Sequence, residues 1–288
     1  MYDVIVIGAG PAGISASLYI KRANLNVLVL YSSESNLEKA EKIDNYYGFK
    51  NGISGKELYE DGIKQARNLE VDVRKEETVE IQDLGEEFLV KTDKNEYTAK
   101  AVIISTGNKK LKPNIKGINE FEGKGISYCA ICDSFFYRNK NVAVIGDGKF
   151  ALNEANELSH VAKEVTILSN GKEINNTKFK VNIKHISEIT GDTKVRKVIF
   201  DDGSSLDVDG IFIALGEAGA GDFAKVIGIS LNGDNIIVNE NMETNIKGIY
   251  ACGNAVGGLL QVCKAVYEGA SAGISAINYI RNLNRKDE

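Results

Sequence analysis

The chain has 288 residues, 43% of them hydrophobic and 26% charged, which is the composition of a folded protein long enough for two ordinary domains. Its formal net charge of −5 is mildly acidic and gives no support to a nucleic-acid partner. Four cysteines are too few for a disulphide framework in a chain of this length, so a close pair among them indicates redox or metal chemistry.

The chain begins with a βαβ unit. Residues 4–7 are a β-branched run that predicts a buried strand, residues 11–23 have a helical pattern, and residues 27–30 predict a second strand. The start, MYDVIVIGAG, lacks the basic region and long apolar core of a signal peptide, and no apolar run approaches the roughly 20 residues that span a bilayer. We therefore expect a cytoplasmic protein that has no membrane partner.

A glycine fingerprint joins the first strand to the first helix. In the pattern G-x-G-x-x-G the first glycine makes a tight turn, the second lets a diphosphate approach the backbone, and the third lets helix and strand pack closely. Gly8, Gly10 and Gly13 fill these places. Pro11 suits the first helical turn, where its missing N–H would have no partner. Glu34, an acid about 20 residues further on, is placed to accept hydrogen bonds from ribose hydroxyls, so the unit predicts a dinucleotide site.

The later elements repeat this organisation. They are a strand and turn at 102–107, a second βαβ unit at 142–168, a strand and glycine turn at 248–258, and a long helical stretch at 259–283. Two βαβ units predict an α/β protein with two Rossmann-like, three-layer domains of the dinucleotide-binding type, the second inserted into the first. The expected domains are 1–110 with 240–288, and 112–238.

A cysteine pair lies just before the second βαβ unit. Cys129 and Cys132 form a C-x-x-C motif, which could be a redox dithiol, half of a zinc site, or two buried small residues. Zinc would need two further ligands, and the other cysteines are widely spaced, so we expect no metal. Asp133 follows directly and is placed to move the proton in thiol–disulphide exchange. Cys252 and Cys263 stand among apolar neighbours, which predicts that both are buried.

Four segments together carry a resemblance to a known family. VIVIGAGPAG, STG, GKGISYCAICDSFFYRNKNVAVIGDG and GIYACGNAVGGLLQVCKAVYEGASAG stand in this order and at these spacings, and they resemble low-molecular-weight thioredoxin reductases over nearly the whole chain. The resemblance implies FAD in the discontinuous domain, the cysteine pair in the inserted domain, thioredoxin as the substrate, and a homodimer.

The resemblance also implies roles for single residues. Cys129 would attack thioredoxin, Cys132 would face the flavin, and Asp133 would be the acid. Asn254 departs from the family, which usually has aspartate there, and so removes a negative charge near the flavin. The implied cofactor-binding set is Gly8, Gly10, Pro11, Ala12, Gly13, Glu34, Asn45, Thr106, Gly107, Gly253, Asn254 and Gln261.

The second glycine turn is a poorer nucleotide site than the first. Gly146, Gly148 and Ala151 keep the turn, but the stretch LSNGKEINN at 168–176 has no arginine where NADPH-dependent members have several, and Lys172 is its one basic residue. It is also too short for an ordinary crossover helix. In these respects the chain resembles the ferredoxin-dependent flavin thioredoxin reductases, so we expect reduced ferredoxin to be the electron donor.

Two alternatives stay open at this point. The first is an ordinary NAD(P)H-dependent thioredoxin reductase that binds its nucleotide through turn and backbone contacts. The second is a flavin-containing sensor whose dithiol reports oxidation without turnover. Two lysine-rich stretches, 108–116 and 171–185, are candidate docking surfaces for an acidic ferredoxin, and we favour the first because it follows the STG turn.

Overall fold

The computed structural model describes residues 1–32, 35–107, 113–128, 130–175, 177–216, 220–233 and 235–285. The strands are β1 Tyr2–Ile7, β2 Val27–Tyr31, β3 Asp72–Lys75, β4 Thr78–Asp83, β5 Phe88–Thr92, β6 Glu96–Ile104, β7 Ile126–Ser127, β8 Asn141–Ile145, β9 Glu164–Leu168, β10 Lys180–Asn182, β11 Ile186–Gly191, β12 Val195–Phe200, β13 Ser205–Asp207, β14 Gly210–Ile213, β15 Leu231–Asn232, β16 Asn235–Ile236 and β17 Ile249–Ala251. The α-helices are α1 Pro11–Arg22, α2 Gly55–Asn68, α3 Ile118–Phe121, α4 Ala130–Asp133, α5 Lys149–Ser159, α6 Ala220–Val226 and α7 Val262–Asn284.

The chain divides into two compact units. Unit 1 contains Met1–Lys109 and Gly219–Glu288, and unit 2 is Lys110–Ala218. The chain returns to unit 1 at residue 219, ahead of the expected 240, because α6 packs on β4 and β16 within unit 1. None of the helices in the described ranges is long and apolar enough to cross a membrane.

Unit 1 is built on a seven-stranded sheet. Its order is β3-β2-β1-β6-β5-β4, with β17 also paired to β6. The β3, β2, β1, β6 and β17 pairings are parallel, whereas β4, β5 and β6 form an antiparallel meander. The register pairs Ile104 with Ile7 on one side and with Ala251 on the other. Because parallel strands end at the same edge, the turns after β1, β6 and β17 lie side by side.

Small residues let two helices of unit 1 approach closely. A Cβ at Gly269 of α7 would overlap the Ala12 carbonyl of α1, and a Cβ at Gly273 would come 2.8 Å from the Ala16 carbonyl oxygen. Ser15 Oγ of α1 donates a hydrogen bond of 2.8 Å to the Val266 carbonyl of α7. This packing places the first turn of α1 beside the first turns of α7.

Unit 2 has a five-stranded sheet of parallel pairs, in the order β10-β9-β8-β14-β7, and an antiparallel sheet β11-β12-β13. Residues 169–175 and 177–179, which connect β9 to its parallel neighbour β10, contain no helix. The sequence pattern predicts one strand near 181–186, whereas the structure has two strands separated by a bend, β10 and β11.

Candidate active site

The first glycine turn has the geometry that its sequence predicts. Gly8 has φ +110°, and a Cβ there would come 2.5 Å from the Ser105 carbonyl oxygen, while a Cβ at Gly13 would overlap the Gly8 carbonyl. Gly10 is different, because the nearest atom to a Cβ there is Ser35 Oγ at 3.9 Å. Gly8 and Gly13 therefore serve close packing, and Gly10 leaves space for a ligand to approach the backbone.

The N-terminus of α1 is open to an anion. Gly10 is its N-cap and supplies no side-chain hydrogen bond, Pro11 is the first helical residue, and the first turn contains no acid. Ala12 and Gly13 are buried in that turn. Uncapped backbone N–H groups and the positive end of the helix dipole together favour a phosphate at this position.

The turn after β6 lies beside the glycine turn. Ser105 Oγ donates to the carbonyl oxygens of Ile7 at 2.9 Å and Gly8 at 3.1 Å, which fixes the two turns to each other. Thr106 Oγ1 is buried and has no hydrogen-bond partner in the described part of the chain. Gly107 has φ +75° and open space around it. A buried hydroxyl without a partner is costly, so a ligand atom that bonds Thr106 would be stabilising.

The turn after β17 completes this edge of the sheet. Gly253 has φ +72°, and a Cβ there would come 2.9 Å from Ala12 Cβ in the first turn of α1. Asn254 follows it in a short 3-10 segment, Gly253–Val256. Further along, the N-cap residue of α7, Gln261, accepts a hydrogen bond of 2.9 Å from Asn45 Nδ2 through its Oε1. The predicted residues of three separate sequence segments thus lie at one edge.

These residues fit a flavin dinucleotide. Among the described residues, the edge supplies an open glycine, a helix N-terminus without a side-chain cap, a hydroxyl at Thr106 that bonds no other described group, and the amide side chains of Asn45 and Gln261. Such neutral donors and acceptors suit a diphosphate and an uncharged ring system. Glu34, predicted to bind the ribose, lies outside the described residues, so its prediction stays untested.

The cysteine motif belongs to unit 2. Cys129 lies outside the described residues, and Cys132 lies in the one-turn helix α4. Asp133, the last residue of α4, accepts a hydrogen bond of 2.6 Å from Ser127 Oγ at its Oδ2. Among the side chains in the described ranges, no cluster of His, Cys, Asp and Glu could hold a metal ion.

A buried carboxylate that the sequence analysis missed holds the start of α4. Glu154 of α5 is 5% exposed, and its Oε2 accepts a hydrogen bond of 2.6 Å from the Ala130 backbone N–H. The signal in the sequence is weak, because an acid within a helix is normally solvent-exposed. Glu154 lies on the same face of α5 as the buried Ala151, Ala155 and Leu158, and that spacing could have identified it.

Aromatic residues directly follow α4, the helix that contains Cys132. Phe135 and Phe136 are 70% and 66% exposed, whereas Tyr137 packs edge-on against the buried Phe212. Burial raises the pKa of Tyr137, and the negative charges of Asp133 and Asp209 raise it further. The Tyr137 hydroxyl therefore stays protonated at neutral pH.

The second glycine turn is filled by its own polar contacts. Asp147, between its two glycines, forms an ion pair with Lys172. At the end of β9, Ser169 Oγ donates to the Lys172 carbonyl, and Asn170 Oδ1 accepts from the Ile186 backbone N–H at 2.9 Å. The polar groups that a nucleotide ribose or phosphate would need at this strand end are thus bound within unit 2.

The two lysine stretches differ in what the structure describes. Lys109, Lys110 and Lys112 of the first stretch lie outside the described residues, and Lys116 pairs with Glu188 at 2.8 Å. In the second stretch, which contains one acid of its own, Lys172, Lys180 and Lys184 pair with Asp147, Glu164 and Asp202 from other segments. Most of the charge that makes this stretch look basic is therefore neutralised by the fold.

The prediction that both remaining cysteines are buried is wrong for one of them. Cys252 is fully buried after β17, and burial raises the pKa of its thiol. Cys263, in the first turn of α7, is exposed. The buried face of this helix passes through Ala265, Gly269 and Ala272, and a position two residues before Ala265 points away from that face.

Comparisons with known proteins agree with this architecture. A family model described as pyridine nucleotide-disulphide oxidoreductase matches residues 2–269. The chain is 33% identical to the thioredoxin reductase of Listeria innocua over 305 aligned positions, which cover 98% of this chain and 95% of that protein.

Solved structures extend the comparison to the fold. The atypical thioredoxin reductase TRi from Desulfovibrio vulgaris Hildenborough is 37% identical with a TM-score of 0.91, covering 98% of this chain and 99% of that chain. A ferredoxin-flavin thioredoxin reductase from Clostridium acetobutylicum is 34% identical with a TM-score of 0.73, covering 98% of each chain. The two predicted Rossmann-like domains and the FAD cofactor are thereby confirmed. The chain belongs to the low-molecular-weight thioredoxin reductase family of FAD-containing disulphide oxidoreductases.

Proposed function

We propose that this chain reduces the disulphide of thioredoxin through FAD and the Cys129–Cys132 pair, with electrons from reduced ferredoxin rather than from NADPH. The relatives named as thioredoxin reductases support the substrate. The ferredoxin-flavin thioredoxin reductase of C. acetobutylicum, similar over 98% of the chain, supports the donor.

The choice of donor depends on the turn that follows β9. The 2′-phosphate of NADPH needs cations that are free to bind it, and Lys172, the one basic residue of 168–176, is paired with Asp147. Ser169 and Asn170, the polar residues nearest the strand end, bond groups of the protein itself. A nucleotide would have to break these bonds and accept the negative charge of Asp147 beside its diphosphate.

The proposed thiol chemistry uses Cys129, Cys132 and Asp133 in the order in which the sequence gives them. Asp133 takes the proton of the Cys129 thiol as its sulphur attacks the thioredoxin disulphide, the thioredoxin S–S bond breaks as the mixed disulphide forms, and Asp133 passes that proton to the departing thioredoxin sulphur. Cys132 then attacks the Cys129 sulphur, the bond to thioredoxin breaks, the Cys132 thiol proton goes to the second departing thioredoxin sulphur, and Cys129–Cys132 remains as a disulphide. Two electrons have passed to thioredoxin, and Ser127 orients the Asp133 carboxyl throughout.

When bound, FAD would reduce the Cys129–Cys132 disulphide back to the dithiol, because a flavin accepts electrons one at a time and delivers them as a pair. The chain's part is to hold it. The α1 N-terminus with Gly10 would hold the diphosphate, the Thr106 hydroxyl would bond a polar atom of the cofactor, and the Asn45–Gln261 amide pair would hold the flavin end.

The remaining expectations belong to the same proposal. A homodimer is proposed from the resemblance, and a cytoplasmic location from a dithiol that must be kept reducible. Phe135 and Phe136 are exposed just after α4, and they offer an apolar surface that a protein substrate could cover.

The donor is tested by mixing the oxidised holoenzyme anaerobically with NADPH, NADH or reduced ferredoxin and following the flavin absorbance. We expect rapid bleaching by ferredoxin and an oxidised spectrum with millimolar NADPH, since missing phosphate contacts of about 1.5–3 kcal/mol each weaken binding by decades. Rapid bleaching by micromolar NADPH would establish the NAD(P)H-dependent alternative. Bleaching by ferredoxin without thioredoxin turnover would favour the sensor.

A variant makes the donor test specific to the turn. Lys172→Ala removes the one cation of 168–176 without touching the flavin unit. Under ferredoxin dependence its rate of flavin reduction by ferredoxin equals that of the wild type. If NADPH bleaches the wild-type flavin slowly and Lys172→Ala lowers that rate about tenfold or more, Lys172 is a phosphate ligand. That result would favour the NAD(P)H-dependent alternative.

A further inference from the structure

A lysine and a glutamate one helical turn apart hold the loop after β17. Lys264 Nζ donates to the carbonyl oxygens of Gly253, at 2.9 Å, and of Gly257. Glu268 Oε2 accepts from the Gly253 backbone N–H at 2.9 Å. The two side chains also pair with each other, with Lys264 Nζ and Glu268 Oε2 2.9 Å apart. Neither residue belongs to the cofactor-binding set that the sequence predicts.

This pair is largely removed from water. The side chains of Lys264 and Glu268 are 15% and 11% exposed. An ammonium group has three N–H donors, and all three of these find acceptors here: two loop carbonyls and one carboxylate. A buried ion pair contributes little net stability, because desolvation offsets the attraction between its charges. Its bonds onto the loop therefore indicate a role in shaping that loop.

The bonds fix one particular peptide group. The Gly253 carbonyl belongs to the peptide that joins Gly253 to Asn254, and in a trans peptide the C=O and N–H groups point in opposite directions. With the carbonyl held by Lys264, the Asn254 N–H is directed away from Lys264. Gly253 and Gly257 have φ of +72° and +73°, in the left-handed region that glycine enters readily, so the loop needs its hydrogen bonds to stay in one arrangement.

The side chain of Asn254 bears on how much of the ligand contact falls to the backbone of this loop. Asn254 has a neutral amide side chain, and hydrogen bonds of a neutral group are weaker than those of a charged one. The backbone of the loop must then carry more of the contact with a bound ligand. A loop that is already held in shape loses less conformational entropy when that ligand binds.

We propose that Lys264 and Glu268 are positioning residues for FAD, which hold the Gly253–Gly257 loop so that the Asn254 backbone and side chain meet the cofactor. They act through the loop and do not transfer protons or electrons. The inference depends on FAD binding and is independent of the electron donor, so it stands or fails separately from ferredoxin dependence.

The test is FAD retention by the holoenzyme, which needs neither ferredoxin nor thioredoxin. Release of FAD on dilution is followed by its fluorescence, and the dissociation constant is obtained by titrating apoprotein with FAD. We expect Lys264→Met, which keeps the length of the side chain but removes all three donors, to raise this constant by about tenfold or more. Glu268→Gln keeps an acceptor for Gly253 but removes the charge, so a smaller rise is expected.

The control is a second lysine–glutamate pair of unit 1, away from the loop. Lys91 and Glu80 join β5 to β4 at 3.0 Å, with side chains 30% and 20% exposed. Lys91→Met should leave FAD affinity unchanged. The proposal is overturned if Lys264→Met gives folded apoprotein, by circular dichroism, whose FAD affinity stays within about twofold of the wild type. If that apoprotein does not fold, Glu268→Gln decides: an unchanged constant overturns the proposal and a raised one supports it.

Discussion

Ala130 directly follows Cys129, the cysteine proposed to attack thioredoxin. The Ala130 backbone N–H donates a hydrogen bond to the Glu154 carboxylate. Helix α4 is a single turn, too short to be stable alone, so its position depends on such tertiary contacts. Glu154 and the Ser127–Asp133 bond hold it at its two ends. The position of α4 is thus set by residues on other elements, Glu154 and Ser127.

Replacing Glu154 should therefore disturb both stability and reactivity. Glu154→Ala leaves the buried Ala130 N–H without an acceptor, which costs about 1–3 kcal/mol, and frees the start of α4. We expect a lower melting temperature and slower thioredoxin reduction. Glu154→Gln keeps an acceptor and should recover most of the stability. Equal losses in both variants would mean that the charge, and not the hydrogen bond, is what matters.

The two cysteines should behave differently when each is replaced. In Cys132→Ser, Cys129 still attacks thioredoxin but cannot be resolved, so a mixed disulphide should accumulate. Cys129→Ser should abolish thioredoxin reduction and trap nothing. Mass spectrometry after incubation with oxidised thioredoxin measures both. Trapping by Cys129→Ser alone would reverse the assigned roles.

At the residue scale, backbone requirements were predictable and side-chain partners were not. Gly8, Gly10 and Gly13 followed from the sequence because each place in the fingerprint has one steric demand. Glu154 and Lys264 escaped prediction because their partners, Ala130 and the Gly253 loop, come from other segments. The exposure of Cys263 depends on the rotation of α7, which apolar neighbours in sequence do not determine.

At the scale of elements, the connection from β9 to β10 distinguishes unit 2 from an ordinary βαβ arrangement. A parallel neighbour is ordinarily reached through a crossover helix, and residues 169–175 and 177–179 supply none. The turn is held instead by hydrogen bonds such as that from Ile186 to Asn170. Its shortness was readable in the sequence, but the Asp147–Lys172 pair was not, because it joins two separate turns.

A polar network ties the meander of unit 1 to its parallel strands. Glu76, between β3 and β4, is 8% exposed and accepts hydrogen bonds from Thr92 at 2.6 Å, Tyr97 at 2.9 Å and Asn95 at 3.1 Å. Burial alone would raise the pKa of this carboxyl, but the hydrogen bonds outweigh it and lower the pKa. Its ionised form is therefore favoured by folding.

This network should make stability depend on pH in a defined direction. A carboxyl whose pKa is lowered by folding stabilises fully above its unfolded value, about 4.3, and the contribution is lost as pH falls through the folded value. We expect Glu76→Gln to melt at a lower temperature than the wild type at pH 7, with the difference shrinking below about pH 4. Glu60→Gln, at an exposed position of α2, is the control. A difference independent of pH would exclude this role for the charge.

At the scale of the whole molecule, the chain has local lysine-rich stretches although its net charge is −5. An acidic donor is guided by a local basic surface and not by the total charge. The second lysine stretch is largely paired with acids brought in by the fold, among them Glu164 and Asp202. For the proposed ferredoxin donor we favour the first stretch, because it follows the turn containing Thr106 and Gly107 in the chain.

Two triple variants with the same change in net charge test which lysine stretch steers ferredoxin. Replacing Lys109, Lys110 and Lys112 by Glu should slow flavin reduction by ferredoxin and flatten its dependence on ionic strength, because steering acts over about one Debye length, roughly 10 Å at 0.1 M salt. Replacing Lys178, Lys180 and Lys184 by Glu changes the net charge equally but removes lysines bound to Asn156, Glu164 and Asp202, so a small effect is expected. Stopped-flow measurements at several salt concentrations compare the two, with dithiol exchange as the unaffected step. If the second variant is slowed more than the first, ferredoxin is steered by the 171–185 stretch despite its internal ion pairs.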